Sequence, residues 1–350
     1  MMGEEVKLRK LKFNTASNIA ILLLIAVLAI VHLKSILQPL VVAILLFFLI
    51  RPPAEWLEKK IGRHPFLAYG ALVGIVMAFL FVASNILFSN LQSFTEEVPT
   101  LSEKLQNKLL WFEDNATILG FSFDTSEVTG LITVEKIESF ATGLVGSLAS
   151  FTAGMVTVLI FLLFIILEAE TLPKRIKAAY PDDVDRIIAL ASSSSKGINV
   201  YVVTRASVAF GQAVLAAIIL YFFGIPGWFL WACITFMMDF IPYVGALISL
   251  LFPIVLGLII LSPSSAVFLI ILLIANQQLW GGVIEPQIAG KRLDISPIVL
   301  LLLVAFWGWA WGVMGMILGV PLAVIMKRAL ESDPRTKPIA MMLSMNPKSD

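Results

Sequence analysis

Apolar residues in this chain gather into long runs, and glycine or proline marks almost every break between them. A helix needs about 20 mostly apolar residues to cross the hydrocarbon core of a bilayer. The first run, Ile19–Val31, continues through His32–Gln38, and Pro39 begins a second that stops at Ile50, before Arg51-Pro52-Pro53. Both are short, and together they predict a hairpin. Phe66–Phe88 suffices for a third span and Leu144–Leu167 for a fourth. From Ala206 onward the chain is nearly continuous hydrocarbon, in the runs Ala206–Phe223, Trp228–Phe240, Gly245–Leu261, Ala266–Trp280, Ser296–Trp311 and Gly312–Met326. Ile19–Ile50 and Ser296–Lys327 each suit either two tilted spans or a re-entrant pair. The pattern predicts an all-α integral membrane protein, a polytopic helical bundle of about eight spans that includes broken or re-entrant helices.

Two polar segments interrupt the runs. From Phe94 to Phe112, the residues Phe94, Val98, Leu101, Leu105, Leu109 and Phe112 recur at three- and four-residue intervals, which predicts an amphipathic helix. A second short helix is expected over Thr133–Ala141, after a turn-rich link at Gly120–Gly130. An insertion of this size cannot bury a core of its own. It is expected to rest on the membrane part or on neighbouring subunits. The other segment, Leu172–Arg205, contains Tyr180-Pro181-Asp182-Asp183, a helix-start pattern, with an amphipathic helix expected from Val184 towards Val200. The expected organisation is N-terminal membrane helices (1–89), a small extracytoplasmic helical insertion (90–142), one span (143–168), a cytoplasmic helical segment (169–205), a C-terminal membrane bundle (206–327) and a cytoplasmic tail (328–350).

Charge supplies the orientation. Only 14% of the 350 residues are charged and 59% are hydrophobic, against about 25% and 45–50% in soluble domains. Cytoplasmic loops carry the Lys and Arg excess. Of the 25 basic residues, 21 fall in the first twelve residues, Arg51–Arg63, Lys174–Arg205, Lys291–Arg292 and the stretch from Lys327 onward. The segment 90–142 instead holds nine acids and three lysines. An even number of crossings with both termini in the cytoplasm satisfies all these loops. The basic residues before Ile19 are followed by no small-residue cleavage site, so they read as part of an uncleaved anchor. A net charge of +1 leaves no basic excess for nucleic acid, and Cys233 and two histidines, His32 and His64, offer no metal cluster or disulfide framework. Ser192–Gly197 lacks the spacing of a phosphate loop, and neither HExxH nor GxSxG occurs. No enzyme, cofactor or metal is expected.

Ionisable groups at membrane depth cost several kcal/mol or need partners, so those that remain point to function. Between Ala206 and Met326 the only charges are Asp239, Glu285, Lys291, Arg292 and Asp294. Asp239 precedes Pro242, Tyr243 and Gly245, where a broken helix would expose backbone groups to an ion or polar solute. The alternative is a cytoplasmic turn in which Asp239 caps a helix. Asn276, Gln277 and Gln278 are either glue between helices or part of a polar pathway. Glu285, held extended before Pro286, is either a structural ion-pair member or a substrate contact. Gly308, Gly312, Gly315 and Gly319 form two GxxxG steps and read as helix packing. Glu168 closes the fourth span as a boundary residue.

Three stretches carry a resemblance: Asp239-Phe240-Ile241-Pro242-Tyr243-Val244-Gly245, then Gly282-Val283-Ile284-Glu285-Pro286-Gln287-Ile288-Ala289-Gly290, then the tail from Phe306-Trp307-Gly308-Trp309 through Gly312 to Pro321-Leu322. Together with the segment order, they resemble the autoinducer-2 exporter family of bacterial permeases. The likeness is closest to the branch that exports the quorum-sensing signal autoinducer-2, a small, highly hydroxylated molecule. It implies a multi-pass protein of the bacterial inner membrane, moving a small polar solute without ATP hydrolysis, and a homo-oligomer, with a pentamer among the implied counts. Other branches resemble sodium(lithium)/proton antiporters, for which Asp239, Glu285 and Glu168 are the candidate coupling carboxylates.

Overall fold

The computed structural model describes residues 17–18, 20–61, 65–118, 139, 143, 154–169, 171–289 and 294–345, and every element among them is helical. The elements are α1 (Ala20–His32), α2 (Lys34–Ile61), α3 (Pro65–Ile118), α4 (Gly154–Glu168), α5 (Leu172–Ala179), α6 (Val184–Phe222), α7 (Trp228–Met238), α8 (Val244–Ile260), α9 (Pro263–Gln277), a π-helix (Gln278–Ile284), α10 (Glu285–Ala289), α11 (Pro297–Glu331) and α12 (Lys337–Leu343). Among the described residues five stretches are long and apolar enough to cross a membrane, one of them running through α9, the π-helix and α10 (Pro263–Ile288), and α4 with α5, bent by 62°, counts as a sixth if the pair is one span. The protein is a polytopic helical membrane protein.

Local chemistry sets the helix starts. Proline occupies the first turn of α5, α9, α11 and α12, where its missing N–H costs nothing. The Ser262 hydroxyl caps α9 by accepting from the Ser265 amide. α6 begins at Val184, directly after the Pro-Asp-Asp turn.

The hairpin expected over Ile19–Ile50 does not form. The Leu33 amide donates to the Ala29 carbonyl and the Leu37 amide to the Leu33 carbonyl, so helical hydrogen bonding runs on from α1 into α2. The only proline there, Pro39, removes one bond from a glycine-free stretch and does not reverse it.

The folded-back pair is found at the other end of the chain. Gly312 has φ 69° and ψ −150° inside α11, conformations that favour glycine. About this point α11 doubles back on itself. A methyl group added to Gly315 would lie 1.9 Å from the Trp307 carbonyl oxygen, one on Gly308 2.6 Å from Met316 Cγ, and one on Gly319 3.1 Å from Val304 Cα.

Two further predicted boundaries dissolve. The third span and the amphipathic stretch from Phe94 are one helix, α3, and Phe94, Val98, Leu101 and Leu105 are buried. The cytoplasmic segment to Arg205 and the span from Ala206 are likewise one helix, α6, because no proline interrupts Val184–Phe222. The helix expected over Thr133–Ala141 lies outside the described residues, apart from Ser139.

α6 joins two apolar cores. Its C-terminal part packs with α3, α7, α8 and α9 around Leu91, Phe94, Leu220, Leu230, Trp231 and Leu269. Its N-terminal part packs with α2, α4 and α11 through Ile198, Ala43, Leu162 and Leu318. Between these cores the tip of the α7–α8 turn, at Ile241, meets Val304 and Val320 of the folded α11.

Candidate functional site

Polar side chains collect on one face of α6. Tyr201, Arg205 and Gln212 share that face with buried Val208, at spacings of three and four residues. From Arg205 to the C-terminal end of α6 at Phe222 is about 25 Å at 1.5 Å per residue, close to the roughly 30 Å of a bilayer's apolar core. With Phe222 set at one boundary of the apolar core, that length would put Arg205 near the other.

Two broken elements meet it. Between α7 and α8 the chain reverses over Asp239–Tyr243, with Tyr243 at φ 64°. The reversal is tight: a methyl group on Gly245 would stand 1.7 Å from the Met238 carbonyl oxygen. The second element is the π-helix, in which backbone bonds run to the fifth residue. It lies between the amides that close α9 and Glu285, which opens α10.

Arg205 ties these elements together. Its Nε donates to the Asp239 carbonyl oxygen at 2.6 Å and stands 3.5 Å from Asp239 Oδ2, while Nη1 lies 2.6 Å from Glu285 Oε2. The three side chains are 15%, 4% and 32% exposed, respectively. The single Nε hydrogen is aimed at the backbone, which leaves Asp239 Oδ2 with no hydrogen-bond donor among the described residues. The Tyr201 hydroxyl reaches the Phe240 carbonyl at 3.5 Å. Two carboxylates and one guanidinium give the cluster one excess negative charge.

About 10 Å further along α6, Gln212 Nε2 donates to Gln277 Oε1 at 2.7 Å, and Asn276 Nδ2 donates to the Gln212 carbonyl at 3.1 Å. Both Gln212 and Asn276 are buried, yet Gln212 Oε1 and Asn276 Oδ1 have no donor among the described residues. Trp280 of the π-helix packs its ring on Gly211, where a methyl group would lie 1.9 Å from the ring, and its indole Nε1 is also buried and unpartnered among the described residues. A buried polar group without a partner costs about 1–3 kcal/mol. Four such atoms on one seam give it two amide acceptors, a carboxylate oxygen and an indole donor for a guest.

Of the residues singled out from the sequence, Asp239, Asn276, Gln277 and Glu285 come together on α6. Pro242 is half-buried at the turn, and its carbonyl accepts from the Val244 amide. The Tyr243, Gln278 and Pro286 side chains are exposed. Glu168 stands apart, paired with Arg175 at 3.0 Å. Gly308, Gly315 and Gly319 lie between the two arms of α11, and Gly312 is their turn.

Sequence reasoning misses Tyr201, Arg205, Gln212 and Trp280. Arg205 reads as a loop residue because the apolar run starts at the next position. The available signal is its spacing from Tyr201 and Gln212 on one helical face.

A family model described as AI-2E family transporter matches residues 19–334. The chain is 24% identical over 311 residues to the AI-2 transport protein TqsA of Escherichia coli (strain K12), covering 89% of this chain and 90% of that protein. It is 23% identical over 328 residues to YhhT of the same organism, covering 93% of each. YueF of Bacillus subtilis (strain 168) is 25% identical over 324 residues, covering 85% of this chain and 84% of that protein.

Proposed function

The chain belongs to the AI-2E transporter family, and we propose on that premise that it exports a small, hydroxyl-rich solute, autoinducer-2 first among the candidates, without ATP hydrolysis. One observation carries this reading. The seam from Arg205 to Trp280 holds buried amide, carboxylate and indole groups that are unpartnered among the described residues, and a hydroxyl can both donate to and accept from such groups. Vesicles containing the purified protein should release labelled autoinducer-2 faster than empty vesicles. Gln212→Leu and Asn276→Leu should slow that release while leaving insertion intact. Equal rates with and without protein would remove the proposal.

The second reading is a sodium(lithium)/proton antiporter, favoured by the excess carboxylate at Asp239 and Glu285. A preset pH gradient would then collapse on adding sodium. If Asp239→Asn with Glu285→Gln leaves that collapse unchanged, these acids are not the coupling site.

Both readings place the chain in a bacterial inner membrane as a homo-oligomer with cytoplasmic termini. Supporting the orientation, Arg186 at the start of α6 pairs with Asp333 at 3.0 Å, and the Ser296 amide donates to the Leu343 carbonyl. The first contact gathers two of the basic segments, Lys174–Arg205 and the stretch from Lys327, on one side. Accessibility of single cysteines placed at residues 186 and 335 tests the side, and mass photometry in lipid discs tests the subunit count.

A further inference from the structure

A cavity of about 1040 Å³ opens between α2, α4, α5 and the N-terminal part of α6. It lies on a different face of α6 from the seam. At about 100° per residue, Ser192, Lys196 and Asn199, which line the cavity, point about 120° or more away from Tyr201 and Arg205. The cavity is therefore separate from the proposed pathway.

Its lining changes character along its length. Along α2 the lining begins with Leu40, Ile44 and Phe48, and α4 adds Ile165 and Ile166. The other end of α2 brings Arg51 and Glu58, and α6 adds Ser195, Lys196 and Asn199. Along α2, Leu40 to Glu58 covers about 27 Å at 1.5 Å per residue. One bilayer leaflet with its headgroups is roughly 20–22 Å thick. The lining along α2 thus spans at least one leaflet and passes from apolar to charged.

The charges at the polar end reduce to one pair. Arg51 is neutralised by Glu55 at 2.8 Å, and Glu168 by Arg175 at 3.0 Å. Lys196 and Glu58 both line the cavity, and neither has an ion-pair partner among the described residues. Asn199 Oδ1 is buried there without a donor among the described residues. One ammonium, one carboxylate and one acceptor complement a phosphate and a primary ammonium on the same ligand.

We infer that this cavity binds one phospholipid with a zwitterionic ethanolamine headgroup. Its phosphate sits on Lys196, its ammonium on Glu58 and Asn199, and its acyl chains lie along Ile44, Phe48 and Ile166. The inference does not depend on which solute the seam carries.

Native mass spectrometry of the full chain, released from lipid discs of equal phosphatidylethanolamine and phosphatidylglycerol, tests it. The expected result is one phosphatidylethanolamine retained per chain. Lys196→Ala, at an exposed helix position, should lower occupancy at least fivefold, and Glu58→Gln should abolish the preference for ethanolamine over glycerol. Ile166→Trp, which fills the apolar end, should also displace the lipid. If that variant misfolds on size-exclusion chromatography, the Lys196 variant decides. Retention of both lipids equally by the unaltered protein, or of neither, overturns the inference. So does binding of free phosphoethanolamine as tight as that of the lipid, because the site would then serve a soluble solute.

Discussion

Replacing Arg205 by methionine keeps most of the side chain's volume and removes the charge that joins α6, the Asp239 turn and Glu285. Breaking a buried ion pair by deleting one partner costs about 3–5 kcal/mol, because the other charge is left uncompensated. Asp239 supplies most of that here, since it is 4% exposed and also loses the charged hydrogen bond to its own carbonyl. Such a bond is worth about 1.5–3 kcal/mol, a part of the same total. Glu285, 32% exposed, turns towards water and contributes at the level of a surface pair, about 0–1 kcal/mol. The expected loss for Arg205→Met is therefore about 3–5 kcal/mol, a large share of the about 5–15 kcal/mol that holds a typical domain together. Unfolding of the detergent-solubilised protein, followed by tryptophan fluorescence against denaturant, reads this directly. Adding Asp239→Asn removes the stranded charge and should recover at least half of the loss. A loss under about 1 kcal/mol, as for a surface pair, or no recovery in the double variant, would refute the view that Arg205 is a buried counter-ion.

Other perturbations discriminate among the remaining features. Gly245→Ala drives a methyl group into the Met238 carbonyl, and overpacking against backbone should cost at or above the usual range of about 1–3 kcal/mol, read in the same unfolding assay. Gly312→Ala meets no neighbour within 4 Å, so only its positive φ is strained, at about 1–3 kcal/mol; the 245 variant should be the less stable of the two. Trp311→Phe removes the indole bond to the Ile30 carbonyl at 2.9 Å and should cost about 0.5–1.5 kcal/mol, with faster proteolysis near α1. Asp333 is held below the usual carboxylate range by the Arg335 amide and then by the Arg186 guanidinium. Its contribution is present above the unfolded value of about 3.9 and fades as pH falls through the lower folded value, so protease access to the tail should be flat from pH 8 to 5 and rise only in stronger acid.

Much of the fold is legible in the sequence because lipid imposes one simple demand, long apolar runs, and the runs are there. The start of α6 follows from Pro181-Asp182-Asp183, and the buried side of the α3 extension from the spacing of Phe94, Val98, Leu101 and Leu105. The failures share a cause. Reading polarity alone cuts a helix wherever charge begins, yet nothing at Asn90 or Arg205 breaks hydrogen bonding, so α3 and α6 pass straight through. The same habit puts Arg205 in a loop and hides the counter-ion of Asp239 and Glu285. Conversely, the polar residues His32, Lys34, Ser35 and Gln38 before Pro39 read as a hairpin tip although the helix absorbs them, whereas Gly312, with a φ only glycine tolerates well, marks a real reversal. Pairings such as Gln212 with Gln277 join positions 65 residues apart, and no local pattern encodes them.

The π-helix over Gln278–Ile284 sets the phase of the chain beyond it. A π turn amounts to one more residue than the α ladder needs. Deleting a single residue there would let the segment relax to an ordinary α-helix and rotate α10 by about 100°. Glu285 would swing off the Arg205 side of the bundle, though no residue of the charged cluster had been altered. The segment works as a counting device: its length in residues, as much as its composition, decides whether the carboxylate and the guanidinium meet.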